Sequence, residues 1–218
     1  MGFPALYGGL TCLDFANTVE ARELAHREEH LFGYPDLVRW AAYADVLDRA
    51  GTRHLVTLAK ARPQAAEASF TAAMRLRGAI YRVCAGDVPP AAADLAFIQR
   101  GYAGAMAAAT LAPGKPGLAP GGYGLSPGRS ALAPGASGHS WALATDHLDR
   151  AWWPAATSAI ALLTGGPLDR VKRCAARERC TGLFLDTSKN RSRRWCSMDT
   201  CGTDAKVTRQ TARRHSRG

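Results

Sequence analysis

At 218 residues the chain is long enough to bury an apolar core, either as one domain or as a larger domain with a small appendage. It carries 28 Lys and Arg against 18 Asp and Glu, and all of the resulting +10 lies at one end: residues 1–169 hold 14 basic and 14 acidic side chains, residues 170–218 hold 14 and 4. No segment reaches the roughly 18 apolar residues of a membrane span, and the opening MGFPALYGGL lacks both a secretory n-region and the Ser or Thr at position 6 of a myristoylation signal, so a cytoplasmic protein is expected, one whose clustered cysteines bind metal rather than form disulfides.

Taken in chain order, LTCLDFANTVEARELA places Leu10, Leu13, Ala16 and Val19 at helical spacing. The next segment, YPDLVRWAAYADVL, repeats the pattern with Leu37, Trp40, Ala41, Ala44 and Leu47, and Gly51 is expected to end it. A third helix is predicted along Phe70, Ala73, Met74, Ile80, Val83 and Cys84, and a fourth in ADLAFIQRGYAGAMAAATLA. From Ala112 to Ser140 Gly, Pro and Ser break every period, predicting a long loop with short strands at its ends, around 118–125 and 140–144. Helical spacing resumes in LDRAWWPAATSAIALLTGG, with Pro154 in the first turn and Gly165 and Gly166 at the end. The expected fold is mainly α with a small β component (α+β): a helical bundle over residues 1–166, with a loop insertion at 112–140, then a treble-cysteine-hairpin or zinc-ribbon-like module over 167–218 that ends in a basic helix.

That module contains Cys174, Cys180, Cys196 and Cys201, two close pairs separated by a stretch of hairpin length. Each pair supplies two thiolates from one tight turn, and the intervening chain brings the pairs together, as a tetrahedral Zn(2+) site requires. GLFLD reads as a strand, TSKN as a turn and RSRRW as the returning arm, with Phe184 and Trp195 sealing the metal. A pair of disulfides or an iron–sulfur cluster would use the same four residues. Cys12 and Cys84 fall in apolar helical stripes and read as buried thiols.

Around the cage, Arg191, Arg193 and Arg194 lie on the returning arm. Lys206, Arg209, Arg213 and Arg217 follow at spacings of 3, 4 and 4 with Arg214 beside them, along one face of a helix with almost no apolar stripe. Such a helix is ordered most simply by a polyanion, so the expected partner is DNA, with RNA or an acidic protein as variants and a solvated tail as the bland reading. A symmetric homodimer would suit a palindromic operator, although no heptad repeat advertises one.

The stretch from Arg173 to Gly202 resembles the CGNR zinc finger, a bacterial module with spaced cysteines, F-x-D-x-S, RRWC-S and a terminal CGNR. The last motif reads Cys201, Gly202, Thr203, Asp204 here, departing at its final two positions. CLDFANT at 12–18 and RLRGAIYRV at 75–83 resemble the ABATE domain that precedes this finger. The resemblance implies a stress-related transcription regulator with four cysteine ligands.

Three further patterns bear on the body. Asp14, Asn17 and Thr18 share one helical face within an apolar segment; they read either as bundle-locking polar groups bonded to Arg75 or Arg77, or, with Arg75 and Trp152, as a pocket for a small-molecule effector. His26, Glu29 and His30 match H-x-x-E-H, which would make the body a metal-dependent enzyme if both histidines shared a helical turn. Gly124, Ser126 and Gly128 match G-x-S-x-G without the strand and helix that a nucleophile elbow needs.

Overall fold

The computed structural model describes residues 2–113 and 139–207. Six α-helices appear among them: α1 (Thr11–Ala16), α2 (Tyr34–Tyr43), α3 (Arg49–Ala61), α4 (Pro63–Ala85), α5 (Ala92–Ala107) and α6 (Trp153–Gly165). Three antiparallel strand pairs accompany them: β1 (Val19–Glu20) with β2 (Glu28–Glu29), β3 (Ala109–Pro113) with β4 (His139–Leu143), and β5 (Val171–Arg173) with β6 (Leu183–Leu185). This is the mainly helical α+β architecture expected from the sequence.

The 23-residue α4 forms the spine, and its buried Ala73, Leu76, Ala79, Ile80 and Val83 follow the helical period. It packs between α1 and α5, and α6 closes the bundle with Trp153, Ala155, Ala156, Ala159 and Leu162 all buried. In α1 the side chains of Cys12, Leu13, Phe15 and Ala16 have no solvent exposure, and the Phe15 ring lies 4.9 Å from that of Trp40. Fully burying each large apolar side chain of this kind contributes about 1.5–3 kcal/mol. Leu183 and Leu185 of β6 belong to the same core, so the cysteine-bearing segment is fused to the bundle rather than strung behind it.

Several elements differ from expectation. The first helix stops at Ala16, because Asn17 turns its amide to a distant strand and Ala21 takes a left-handed φ of 46°. Helix α3 stands where Gly51 was expected to end a helix; Asp48 caps it instead, its Oδ1 accepting from the Gly51 N–H at 2.7 Å. The strands flanking the long loop are Ala109–Pro113 and Ser140-containing β4, while the expected strand at 118–125 lies outside the described residues. The Leu183–Leu185 strand pairs with Val171–Arg173, upstream of the first cysteine, and not with the RSRRW arm.

Candidate metal centre and nucleic-acid surface

Strands β5 and β6 bracket a tight knuckle in which the Arg179 and Cys180 amides donate to the Ala176 carbonyl. The knuckle presents Cys174 and Cys180, and Cys196 and Cys201 arrive from the other side, Cys201 in a short π-helical turn over Met198–Gly202. All four Sγ atoms lie within 4.8 Å of one another, and Cys196 Sγ is 3.6 Å from Cys180 Sγ and 3.7 Å from Cys201 Sγ. A tetrahedron with metal–sulfur bonds of about 2.3 Å has edges of about 3.8 Å. A disulfide would need about 2.05 Å, and all six cysteines are free thiols. The donor set therefore fits a single four-coordinate metal ion. Side-chain hydrogen bonds from Cys180 and Cys196 lower the Cys174 thiol, and Cys174 in turn raises both of those neighbours. The Gly182 N–H donates to Cys180 Sγ at 3.3 Å, adding a dipole to the cage. Gly182 is required here by close approach, since a Cβ would lie 2.8 Å from the Tyr7 hydroxyl.

Phe184, Asp186 and Ser188, the F-x-D-x-S stretch, build the frame around the cage. Phe184 packs on Cys174 and Cys196. Asp186, fully buried, accepts from Lys172 Nζ at 2.6 Å, Ser188 Oγ at 2.6 Å, Ser188 N at 2.9 Å and Arg193 N at 3.1 Å. Burial alone would raise its carboxyl pKa, but the Lys172 and Ser188 bonds reverse the sign and hold it below the usual carboxylate range. Arg193 lies over the Phe184 ring at 4.4 Å, and its guanidinium donates to the carbonyls of Leu185, Trp195, Cys196 and Tyr7.

The predicted nucleic-acid residues thus divide. Arg193 is half-buried and holds the returning arm to β6 and to the N-terminal segment. Arg194 is exposed, its guanidinium 5.1 Å from the Trp195 ring, and Arg191 is exposed but paired with Asp169 at 2.6 Å. Lys206 is exposed on the helical turns that begin at Thr203; Arg209, Arg213, Arg214 and Arg217 lie outside the described residues. Sequence reading missed Arg177 and Arg179, which sit in the knuckle between two cysteines. With Glu178, Arg194, Trp195 and Ala205 they line a concave surface of about 470 Å³ beside the cage, three cations against one acid. Their signal lies in the basic residues of CAARERC, where the cysteines are the more distinctive feature.

A family model described as "putative stress-induced transcription regulator", ABATE, matches residues 9–166, and the CGNR zinc finger model matches residues 170–214. The chain belongs to the ABATE family. No curated protein and no solved structure matches it. Among the described residues no helix is long and apolar enough to cross a membrane.

In the ABATE segment, the polar trio in and just after α1 is engaged in holding the finger and the nearby loops. Asp14 Oδ1 accepts from the Gly8 N–H at 2.7 Å, Asn17 bonds both backbone groups of Leu183, and Thr18 donates to the Phe15 carbonyl at 2.8 Å while accepting from Arg77. Arg75 instead stacks on Phe97 at 4.4 Å, and Trp152 bonds Ser69 Oγ at 3.1 Å. These bonds of Asp14, Asn17 and Thr18 run to backbone groups and to Arg77.

His26, Glu29 and His30 do not share a helical turn. Residues 21–26 form turns and bends, His26 is exposed against the Arg179 carbonyl at 3.4 Å, and His30 Nε2 meets Glu20 at 3.0 Å. Glu29 makes a two-pronged ion pair with buried Arg77, at 2.6 and 2.7 Å. Burial would raise the Glu29 pKa, but the Arg77 bonds outweigh it and hold the carboxyl below its usual range. A depressed folded value means that the contribution to stability is present above the unfolded carboxylate pKa and is lost as pH falls toward the folded value. Urea unfolding should therefore show Glu29→Gln less stable than wild type at pH 7, with the gap closing as pH falls below about 4.5. A gap independent of pH would contradict it. G-x-S-x-G at 124–128 lies outside the described residues.

Proposed function

We propose that the chain is a DNA-binding transcription regulator whose residues 167–218 bind nucleic acid through a module folded around one zinc ion on Cys174, Cys180, Cys196 and Cys201. The observation that carries this reading is the concavity lined by Arg177, Arg179, Arg194 and Trp195 directly beside the cage, on the part of the chain that holds the entire net charge. The spacing of the sulfurs favours one ion over a larger iron–sulfur cluster, and four thiolates fill every coordination position, which suits a structural role and not hydrolysis. When bound, zinc supplies the crosslink that a core this small lacks. The guanidinium groups neutralise phosphates, which fix register without reading sequence, and the Trp195 and Arg194 pair offers a flat surface to a base or sugar.

Anisotropy titrations of duplex DNA over a range of salt test the reading. The affinity should fall with a log-log slope of about 4 to 7, and Arg177→Gln or Arg194→Gln should each reduce the slope by about 1. A flat salt response overturns it, and competitor RNA that displaces the duplex stoichiometrically assigns the surface to RNA. Point variants are needed because removing residues 170–218 would strip Leu183 and Leu185 from the bundle core.

Asp204 modifies this surface. Its Oδ2 lies 3.3 Å from Arg179 Nη1 with both side chains about half exposed, so it draws one phosphate-facing cation into an internal pair. Asp204→Asn should release Arg179 and tighten duplex binding roughly 3- to 10-fold at low salt, with little change in melting temperature. An unchanged affinity would show that Arg179 does not face the nucleic acid.

A further inference from the structure

The short hairpin of β1 and β2 sets two glutamates against each other. Glu20 and Glu28 are cross-strand partners in its ladder, the arrangement in which like charges directly oppose and destabilise the pair. The neighbouring arginines are committed elsewhere: Arg27 and Arg77 to Glu29, Arg173 to Glu23 and Asp87, and Arg22 to the Ala16 carbonyl. Among the described residues no Lys or Arg pairs with Glu20 or Glu28. What faces both is His30, whose Nε2 lies 3.0 Å from Glu20 Oε2 and 4.0 Å from Glu28 Oε1. One donor atom from each of the three side chains falls within 4.8 Å of the other two. A single N–H given to Glu20 leaves the second carboxylate unserved. The His30 side chain is only 6 % exposed, and its other nitrogen, Nδ1, is buried with no hydrogen-bond partner among the described residues. Protonating the ring would supply one positive charge and bury a cationic N–H that nothing accepts. A divalent ion in the gap supplies two charges and leaves the imidazole neutral. The ring is also held in place, since the His30 backbone N–H donates to the Thr18 carbonyl at 3.2 Å and to Glu29 Oε1 at 3.0 Å. The two carboxylates, 41 % and 52 % exposed, keep the freedom to close on an ion.

We infer that Glu20, Glu28 and His30 form a second metal site, which takes an exchangeable divalent first-row transition-metal ion on two carboxylate oxygens and the imidazole Nε2. Nitrogen and oxygen donors without a thiolate suit an ion such as manganese(II), iron(II) or zinc(II). Metal–donor bonds of about 2.1 Å at right angles place adjacent donors about 3.0 Å apart, the spacing already present between Nε2 and Glu20, while Glu28 at 4.0 Å has about 1 Å to close. Three protein ligands leave the other positions to water, so this ion exchanges and is removed by dialysis, unlike one held by the four-thiolate cage. Glu29, the acid of H-x-x-E-H, is outside the site because Arg77 holds it. The site shares no residue with the cage and does not depend on nucleic-acid binding, so the two readings stand or fall separately.

Manganese(II) is the probe, because its preference for oxygen over thiolate keeps it out of the cysteine cage. It is titrated into the full chain without nucleic acid; bound ion is read from the loss of the EPR signal of free manganese, and the melting temperature is followed in parallel. One saturable site with a Kd of about 10–100 µM is expected, with a rise in melting temperature on binding. Pulsed EPR of the bound ion should show coupling to one imidazole nitrogen. Glu20→Gln and Glu28→Gln should each weaken binding at least about 10-fold. Glu67→Gln, which alters an exposed acid of α4, should bind as wild type does. Without manganese, Glu28→Gln should melt at or above the wild-type temperature, since it removes a like charge from the ladder, and manganese should no longer raise that temperature. Absence of saturable uptake below about 1 mM overturns the inference. So does wild-type affinity in Glu20→Gln and Glu28→Gln, an equal loss in Glu67→Gln, or a bound ion with no nitrogen coupling.

Discussion

Removing the metal is expected to unfold the cysteine module, weaken duplex binding by two orders of magnitude or more, and lower the melting temperature of the helical bundle as well. The argument starts from how little else holds the module. Its separate apolar cluster consists of Cys174, Phe184 and Cys196 with Tyr7, Ala176, Cys180, Trp195 and Cys201 against it, so half of its members are the proposed ligands themselves. Apparent binding free energies for structural zinc are about 10–16 kcal/mol at neutral pH, more than the total stability of most domains of this size. The effect reaches the bundle through β6. Leu183 and Leu185 sit in the main core, Arg22 donates its backbone N–H to Thr181 Oγ1 at 2.9 Å, and the Tyr81 hydroxyl donates to the Thr181 carbonyl at 3.2 Å. Metal analysis should find one zinc per chain, lost in Cys174→Ser and in Cys196→Ser. It should be retained in Cys84→Ala, because Cys84 lies in the bundle core, where burial raises its thiol pKa. A chelated protein with an unchanged melting curve and intact duplex binding would refute the proposal, and so would iron in place of zinc for the choice of ion.

What the sequence disclosed and what it withheld follow from the range of the interactions involved. The cage was legible because its geometry is local: Cys174 and Cys180 flank one knuckle, and Cys196 and Cys201 flank one turn. The long helix α4 and the Pro-initiated α6 were legible because an apolar stripe at helical spacing has few other uses. Helix α1 was overextended because Val19 continues the same stripe, but Val19 pairs across a strand with Glu29, and tertiary bonds from Asn17 override the propensity of the segment. Gly51 looked like a helix end, whereas it is buried in the first turn of α3, where a Cβ would meet Arg150 Nη1 at 2.9 Å. Strand β5 gave no signal: Lys172 and Arg173 make it read as part of the basic run, although Lys172 is committed to Asp186, and Arg173 pairs with Glu23 at 2.8 Å and with Asp87. A count of basic residues cannot separate cations that hold the fold from cations that face a partner. Arg193 is of the first kind, and Arg177 and Arg194 remain on the surface.

Replacing Asn17 by Ala is expected to cost about 2–5 kcal/mol and to separate the unfolding of the module from that of the bundle. Asn17 is 3 % exposed; its Nδ2 donates to the Leu183 carbonyl at 2.8 Å, and its Oδ1 accepts from the Leu183 N–H at 2.9 Å. One edge of β6 is paired with β5, and the other is supplied by the body: the Asn17 amide serves Leu183 in place of a strand neighbour, and the Gly8 carbonyl accepts from the Leu185 N–H at 2.8 Å. Alanine removes both partners of a buried peptide pair at once, and each orphaned group costs about 1–3 kcal/mol. Asp at this position keeps the acceptor but turns a carboxylate oxygen toward the Leu183 carbonyl, so Asn17→Asp should be no better, a distinction that side-chain volume alone would not produce. The metal cage does not involve Asn17, so zinc content should stay at one per chain while chelator extracts it faster. Urea unfolding followed by tryptophan fluorescence and by zinc release should then give two separated transitions where the wild type gives one. Coincident transitions at an unchanged midpoint would mean that the apolar contacts of Leu183 and Leu185 join the two parts without the amide.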